Sequence, residues 1–166
     1  MRSFRFSVAA LVILSFSALS ACGFTPLYGA NAVTSGLSDI RVETGQERID
    51  FRLQEALLDG MSARHAAGPY TLHATTTVLS QPFGVGVDAI ASRFAVQVSV
   101  QWQLVREGSL EPILTGIANS DASYDVPAGV YGGLAAESDA ENRAIGVAAD
   151  RIITQLARSI RDEDAW

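Results

Sequence analysis

The chain has 166 residues, and its formal net charge of −6 comes from eighteen acidic residues against twelve basic ones. All twelve are arginine. A net acidic chain argues against nonspecific binding to nucleic acid, and a single cysteine, Cys22, excludes an internal disulfide.

Met1 to Ala21 opens with Arg2 and Arg5, runs through apolar and small residues from Phe6 to Leu19, and closes on Leu19-Ser20-Ala21-Cys22. Basic, apolar, small is the order of a secretory signal peptide. The apolar run falls short of the roughly 20 residues a spanning helix needs, so residues 1–21 are expected to be removed rather than kept as a membrane span. Leu-Ser-Ala-Cys resembles the lipobox of bacterial lipoproteins, in which the cysteine thiol takes a diacylglyceryl group and the new amine is acylated. Cys22 is therefore the expected lipid attachment site, and this covalent lipid is the only non-protein group expected. Two or three acyl chains hold a protein stably where a single chain binds marginally. Gly23 follows in place of the Asp that commonly retains enterobacterial lipoproteins in the inner membrane, which favours the outer membrane. Cleavage removes Arg2 and Arg5, leaving ten arginines against eighteen acids and a mature charge of −8.

Residues 22–36 contain Gly23, Pro26, Gly29 and Gly36 without periodicity and read as an irregular tether, leaving 37–166 as one domain. Leu37 to Glu43 alternates as a short strand. Thr44 and Glu47 have capping-box spacing ahead of a helix in which Ile49, Leu53, Leu57 and Met61 recur, with Gly68-Pro69 as its stop. Tyr70 to Ser80 is a second strand. After a connection through Pro82, Gly84 and Gly86, a third shows the clearest alternation in the chain. Phe94, Val96, Val98, Val100, Trp102 and Leu104 line one face, while Gln97, Ser99, Gln101 and Gln103 make the other polar without charge. Trp102 is expected in the core. Ile113 to Tyr124 reads as a fourth strand interrupted by Gly116, and Asp125 to Gly133 as a loop. A final helix from about Leu134 to Arg161 carries an apolar stripe through Ile145, Ala148, Ile152 and Leu156. The expected fold class is α+β: a small four-stranded mixed sheet with two helices packed on one face, in β-α-β-β-β-α order.

The run Cys22-Gly23-Phe24-Thr25-Pro26-Leu27-Tyr28 resembles the start of mature LptE proteins, the lipopolysaccharide-assembly lipoproteins, where Cys-Gly-Phe, a variable residue and Pro-Leu-Tyr is typical. Ala91-Ser92-Arg93 before the long strand, and Tyr124-Asp125-Val126 before a loop and an Ala-rich helix, extend the likeness over the mature chain. The resemblance implies a noncatalytic protein tethered to the inner leaflet of the outer membrane. It implies an LptD-like outer-membrane β-barrel as partner, which the protein helps to assemble and plugs, and lipopolysaccharide as a ligand. The competing class is an auxiliary lipoprotein of an envelope lipid-trafficking ABC transport system, against which the Cys-Gly-Phe-x-Pro-Leu-Tyr run argues.

Phe24, Pro26, Leu27 and Tyr28 either contact the barrel or membrane, or pack back on their own domain. Arg93 is the first candidate for a lipopolysaccharide phosphate, since a guanidinium can hold phosphate with two hydrogen bonds. The alternative for Arg93 is a solvated or salt-bridged arginine, and Arg106, at the far end of the same strand, is the second candidate. His65 and His73 lack metal-ligand spacing, Gly84-x-Gly86 lacks the context of a nucleotide loop, and no Gly-x-Ser-x-Gly elbow occurs, so neither a metal nor catalysis is expected.

Overall fold

A computed structural model of the chain describes residues 31–63, 68–82, 93–126 and 130–161. The elements in order are α1 (Asn31–Ser38), β1 (Ile40–Thr44), α2 (Arg48–Met61), β2 (Tyr70–Pro82), β3 (Arg93–Arg106), β4 (Pro112–Asp125) and α3 (Val130–Arg161). The four strands lie side by side in chain order in one sheet. β1 pairs parallel to β2, joined to it through α2, whereas β2–β3 and β3–β4 are antiparallel. The fold is the α+β class expected, a four-stranded mixed sheet covered by helices.

Alternation decides which face of the sheet is covered. On β3, Val96, Val98, Val100, Trp102 and Leu104 are buried, and their neighbours Leu72, Ala74, Ala118 and Ala122 join them on the same side. Ile40 and Val42 extend that surface onto β1. Ile49, Leu53, Leu57 and Met61 of α2 and Ala144, Ile145, Ala148, Ile152 and Leu156 of α3 close over it. Fully burying a leucine such as Leu53 or Leu156 contributes about 1.5–3 kcal/mol, so this one-sided layer holds the fold together. One buried polar bond ties α3 to β4: the Ser120 hydroxyl donates to the Ala144 carbonyl at 2.7 Å.

Local structure departs from the sequence expectations at α1, at both ends of α2, at Gly116 and at the start of α3, which begins at Val130 inside the loop expected over Asp125 to Gly133. Residues 31–36, expected within the irregular tether, belong to α1, whose Val33 and Leu37, one turn apart, are buried against the core. Gly36 lets this helix approach Ile160, whose side chain lies 3.1 Å from where a Cβ would stand. The cap of α2 lies three residues later than Thr44. Asp50, itself buried, accepts the Glu47 backbone N–H at 3.2 Å, and Gly45 leaves room for that carboxylate. Helix α2 ends before Gly68, with Ser62 in the left-handed region (φ 56°) and its N–H bonded to the Asp59 carbonyl. Gly68 instead packs on the Asp39 carbonyl, where a Cβ would come within 2.1 Å. Finally, Gly116 does not interrupt β4. It seats the Trp102 indole, so that an added Cβ would lie 2.5 Å from the ring.

Candidate functional site

The sheet face opposite the helices is open. Across it run cross-strand rows such as Thr75–Gln101–Ile117 and Thr77–Ser99–Asn119. The expected polar set of Gln97, Ser99, Gln101 and Gln103 is thus widened by hydroxyl and amide side chains from β2 and β4. Two shallow hollows of about 590 and 390 Å³ lie on this face, one around His73, Gln101, Gln103 and Thr115, the other around Thr77, Leu79, Ser99 and Asn119. Charge is confined to the margins and β4. Arg41 and Glu43 lie on β1, with His73 Nδ1 3.3 Å from the Glu43 carboxylate, and Asp121 lies on β4. The middle is uncharged and mostly polar, with Leu79 and Ile117 as exposed apolar side chains, and Asp121 and Arg151 border the second hollow.

One end of the sheet is marked by arginines. Arg93, first residue of β3, stands opposite Asp125, last residue of β4, and its Nε and a terminal nitrogen donate to the two carboxylate oxygens at 2.8 and 3.3 Å. The pair is exposed. The Arg93 guanidinium holds the Asp125 carboxyl below the usual carboxylate range, and Asp125 in turn raises Arg93. Beside it the Phe94 and Tyr124 rings stack with centroids 5.7 Å apart. Arg143 of α3 reaches the same end of β4, donating to the Ser123 carbonyl at 3.1 Å and to Asp139 at 2.9 Å.

Arg106 lies at the opposite end of β3, roughly 40 Å away at the strand rise, and on the helix-bearing face. It sits over the Tyr70 ring at 5.7 Å. The fold therefore separates Arg93 from Arg106, and one ligand headgroup does not meet both. The sequence did not single out Arg143; helical phase places it toward the sheet, but only the strand pairing shows which end of β4 it reaches. Cys22, Phe24, Pro26, Leu27 and Tyr28 lie outside the described residues. Among the described residues there is no cluster of three metal-ligating side chains, and no helix is long and apolar enough to cross a membrane.

Four strands in chain order with helices packed on one face make a one-sided α+β layer whose other sheet face is open. Residues 37–156 match the model of the LptE lipopolysaccharide-assembly family, and the chain belongs to that family. A crystal structure from Caulobacter crescentus described as a lipoprotein is 30% identical, with a TM-score of 0.67, and the match covers 80% of this chain and 97% of that one. A minor lipoprotein from Acinetobacter baumannii (15% identity, TM-score 0.60, 72% and 90% covered) shares the fold. So does rare lipoprotein B from Shewanella oneidensis (14%, 0.53, 74% and 96%). No curated protein sequence matches the chain.

Proposed function

We propose that this chain is a lipid-anchored, noncatalytic component of the outer-membrane lipopolysaccharide translocon, which helps an LptD-like barrel assemble and plugs its lumen. The observation that carries the reading is the open sheet face. A barrel wide enough to hold a domain has a polar interior. A domain that fits inside it needs a surface that exchanges hydrogen bonds with that lining without burying unpaired charge, which would cost several kcal/mol per ion. The uncharged rows through the middle of the face, mostly Thr, Ser, Gln and Asn with Leu79 and Ile117 among them, meet that requirement, and membership of the lipopolysaccharide-assembly family supports it.

In this reading residues 1–21 are removed, Cys22 carries the lipid at the periplasmic face of the outer membrane, and residues 22–30 with Phe24, Pro26, Leu27 and Tyr28 lead from anchor to domain. Arg93 supplies a phosphate contact, with the incoming phosphate replacing Asp125 on the guanidinium fork. The test is extraction of the tagged protein from its own envelope in mild detergent, with mass spectrometry of what stays bound. A large outer-membrane barrel at equal stoichiometry is the expected result. Recovery of ABC-transport components in its place would overturn the reading and favour the competing class. Labelled lipopolysaccharide is expected to bind the purified protein and to bind Arg93→Ala less tightly.

A further inference from the structure

The two edges of the sheet differ. On β4 the outer edge is guarded: Arg151 of α3 donates to the Asn119 carbonyl and Arg143 to the Ser123 carbonyl, so two outward acceptors are occupied by charged side chains. Long charged side chains on an edge are a standard defence against pairing with another chain. On the other side, β1 covers β2 only from Tyr70 to Ala74. From Thr75 to Pro82, β2 pairs with β3 alone among the described residues. This stretch, Thr75-Thr76-Thr77-Val78-Leu79-Ser80-Gln81-Pro82, carries no charge, is rich in β-formers, and is exposed except for the half-buried Thr76 and Val78. Among the described residues it leaves a slot in line with β1, about 26 Å long at the strand rise.

We infer that this half-edge of β2 receives an extended, uncharged segment of the barrel protein, added as a strand that continues the line of β1. The inference rests on the proposed function and names a second contact within the same complex. Strand addition takes its affinity from main-chain hydrogen bonds and its specificity from alternate side chains, and this uncharged edge offers no ion-pair partner to a charged strand. The strands of a closed barrel have both edges satisfied, so the segment comes from outside the wall, from a loop or a terminus. A second copy of this chain fits less well. Two eight-residue edges meeting alone bury far less than the roughly 1,200 Å² of a stable interface. A partner already docked on the open face presents its segment at high effective concentration, and a short edge then suffices.

The test places a photo-crosslinking residue at Ser80, on the helix side of β2 and away from the open face, in the full-length protein in its own envelope. Crosslinked peptides are identified in the purified complex, and amide exchange is followed across Thr75–Pro82. A crosslink to an uncharged barrel-protein segment outside the wall strands, with slowed exchange over Thr75–Pro82 in the complex, is the expected result. Ser80→Lys is expected to lose the exchange protection while the complex stays one-to-one. If the barrel co-purifies but Ser80 crosslinks to a wall strand, to residues 1–30, to another copy or to nothing, the inference fails and the proposed function stands. If no barrel co-purifies, both fail.

Discussion

Trp102 and Gly116 face each other across β3 and β4, and the ring lies where a Cβ on residue 116 would be. Gly116→Ala therefore has to push the indole off its seat against a packed core. Overpacking of this kind costs about 1–3 kcal/mol, read as a lower denaturant midpoint. Trp102→Leu in the same background is expected to recover part of the loss, and an unchanged midpoint for Gly116→Ala would contradict the packing. The Trp102 Nε1–H is buried without a partner among the described residues, so it contributes no hydrogen bond to hold the ring. Alternation places Trp102 in the core from sequence. It does not reveal Gly116 beneath it, because that contact depends on the register of two strands joined through residues 107–111. The pair at the end of the sheet gives a second test at this scale. Asp125 has its pKa lowered by Arg93, so its contribution to stability is present above the unfolded value of about 3.9 and is lost as pH falls through the lower folded value. Both groups are exposed, so the effect on global stability is small. Carboxyl NMR is expected to show Asp125 titrating below ordinary aspartates, and Arg93→Gln to return it to the ordinary range.

At the scale of elements, strands were easier to read than helix ends. Each strand announces itself by alternation, and the paired sides of β3 needed no tertiary information. The short helix α1 was hidden because eight residues offer one buried pair, Val33 and Leu37, within a glycine-containing stretch. The cap of α2 falls on Glu47 and Asp50 in place of the expected Thr44 and Glu47; the two pairs share one spacing, and only the burial of Asp50 distinguishes them. Hydrogen bonds from Ser120, Arg143 and Arg151 join α3 to β4 and have different duties. Ser120→Ala removes a buried bond and leaves the Ala144 carbonyl without that donor, with an expected loss of about 1 kcal/mol in chemical denaturation. Arg143 and Arg151 hold the edge. Arg143→Ala with Arg151→Ala is expected to leave the fold intact while raising self-association in light scattering, because the β4 carbonyls are then free to pair. A double variant as monodisperse as the parent would remove the guarding role.

The whole molecule keeps its apolar side under three helices and presents a neutral polar sheet on the other. The class of fold and the polar face of β3 were legible in the sequence, and so was the family, through a run at Cys22–Tyr28 that lies outside the described residues. The breadth of the face was not, since Thr75, Thr77 and Asn119 enter it only through pairing with Gln101 and Ser99. The separation of Arg93 from Arg106 follows from the length of β3 and their opposite parity, which together divide two candidate anion contacts between two ends and two faces. If this open face meets the inside of a barrel, charges placed at its centre break the complex. The most direct measurement compares one-to-one recovery of the barrel by the parent protein and by a variant with Ser99→Arg and Gln101→Arg, checked by circular dichroism to be folded. An equimolar complex is expected for the parent and its loss for the variant, because two charges would be buried against the lumen without partners. A folded variant that still recovers the barrel at equal stoichiometry would contradict docking of this face in the lumen.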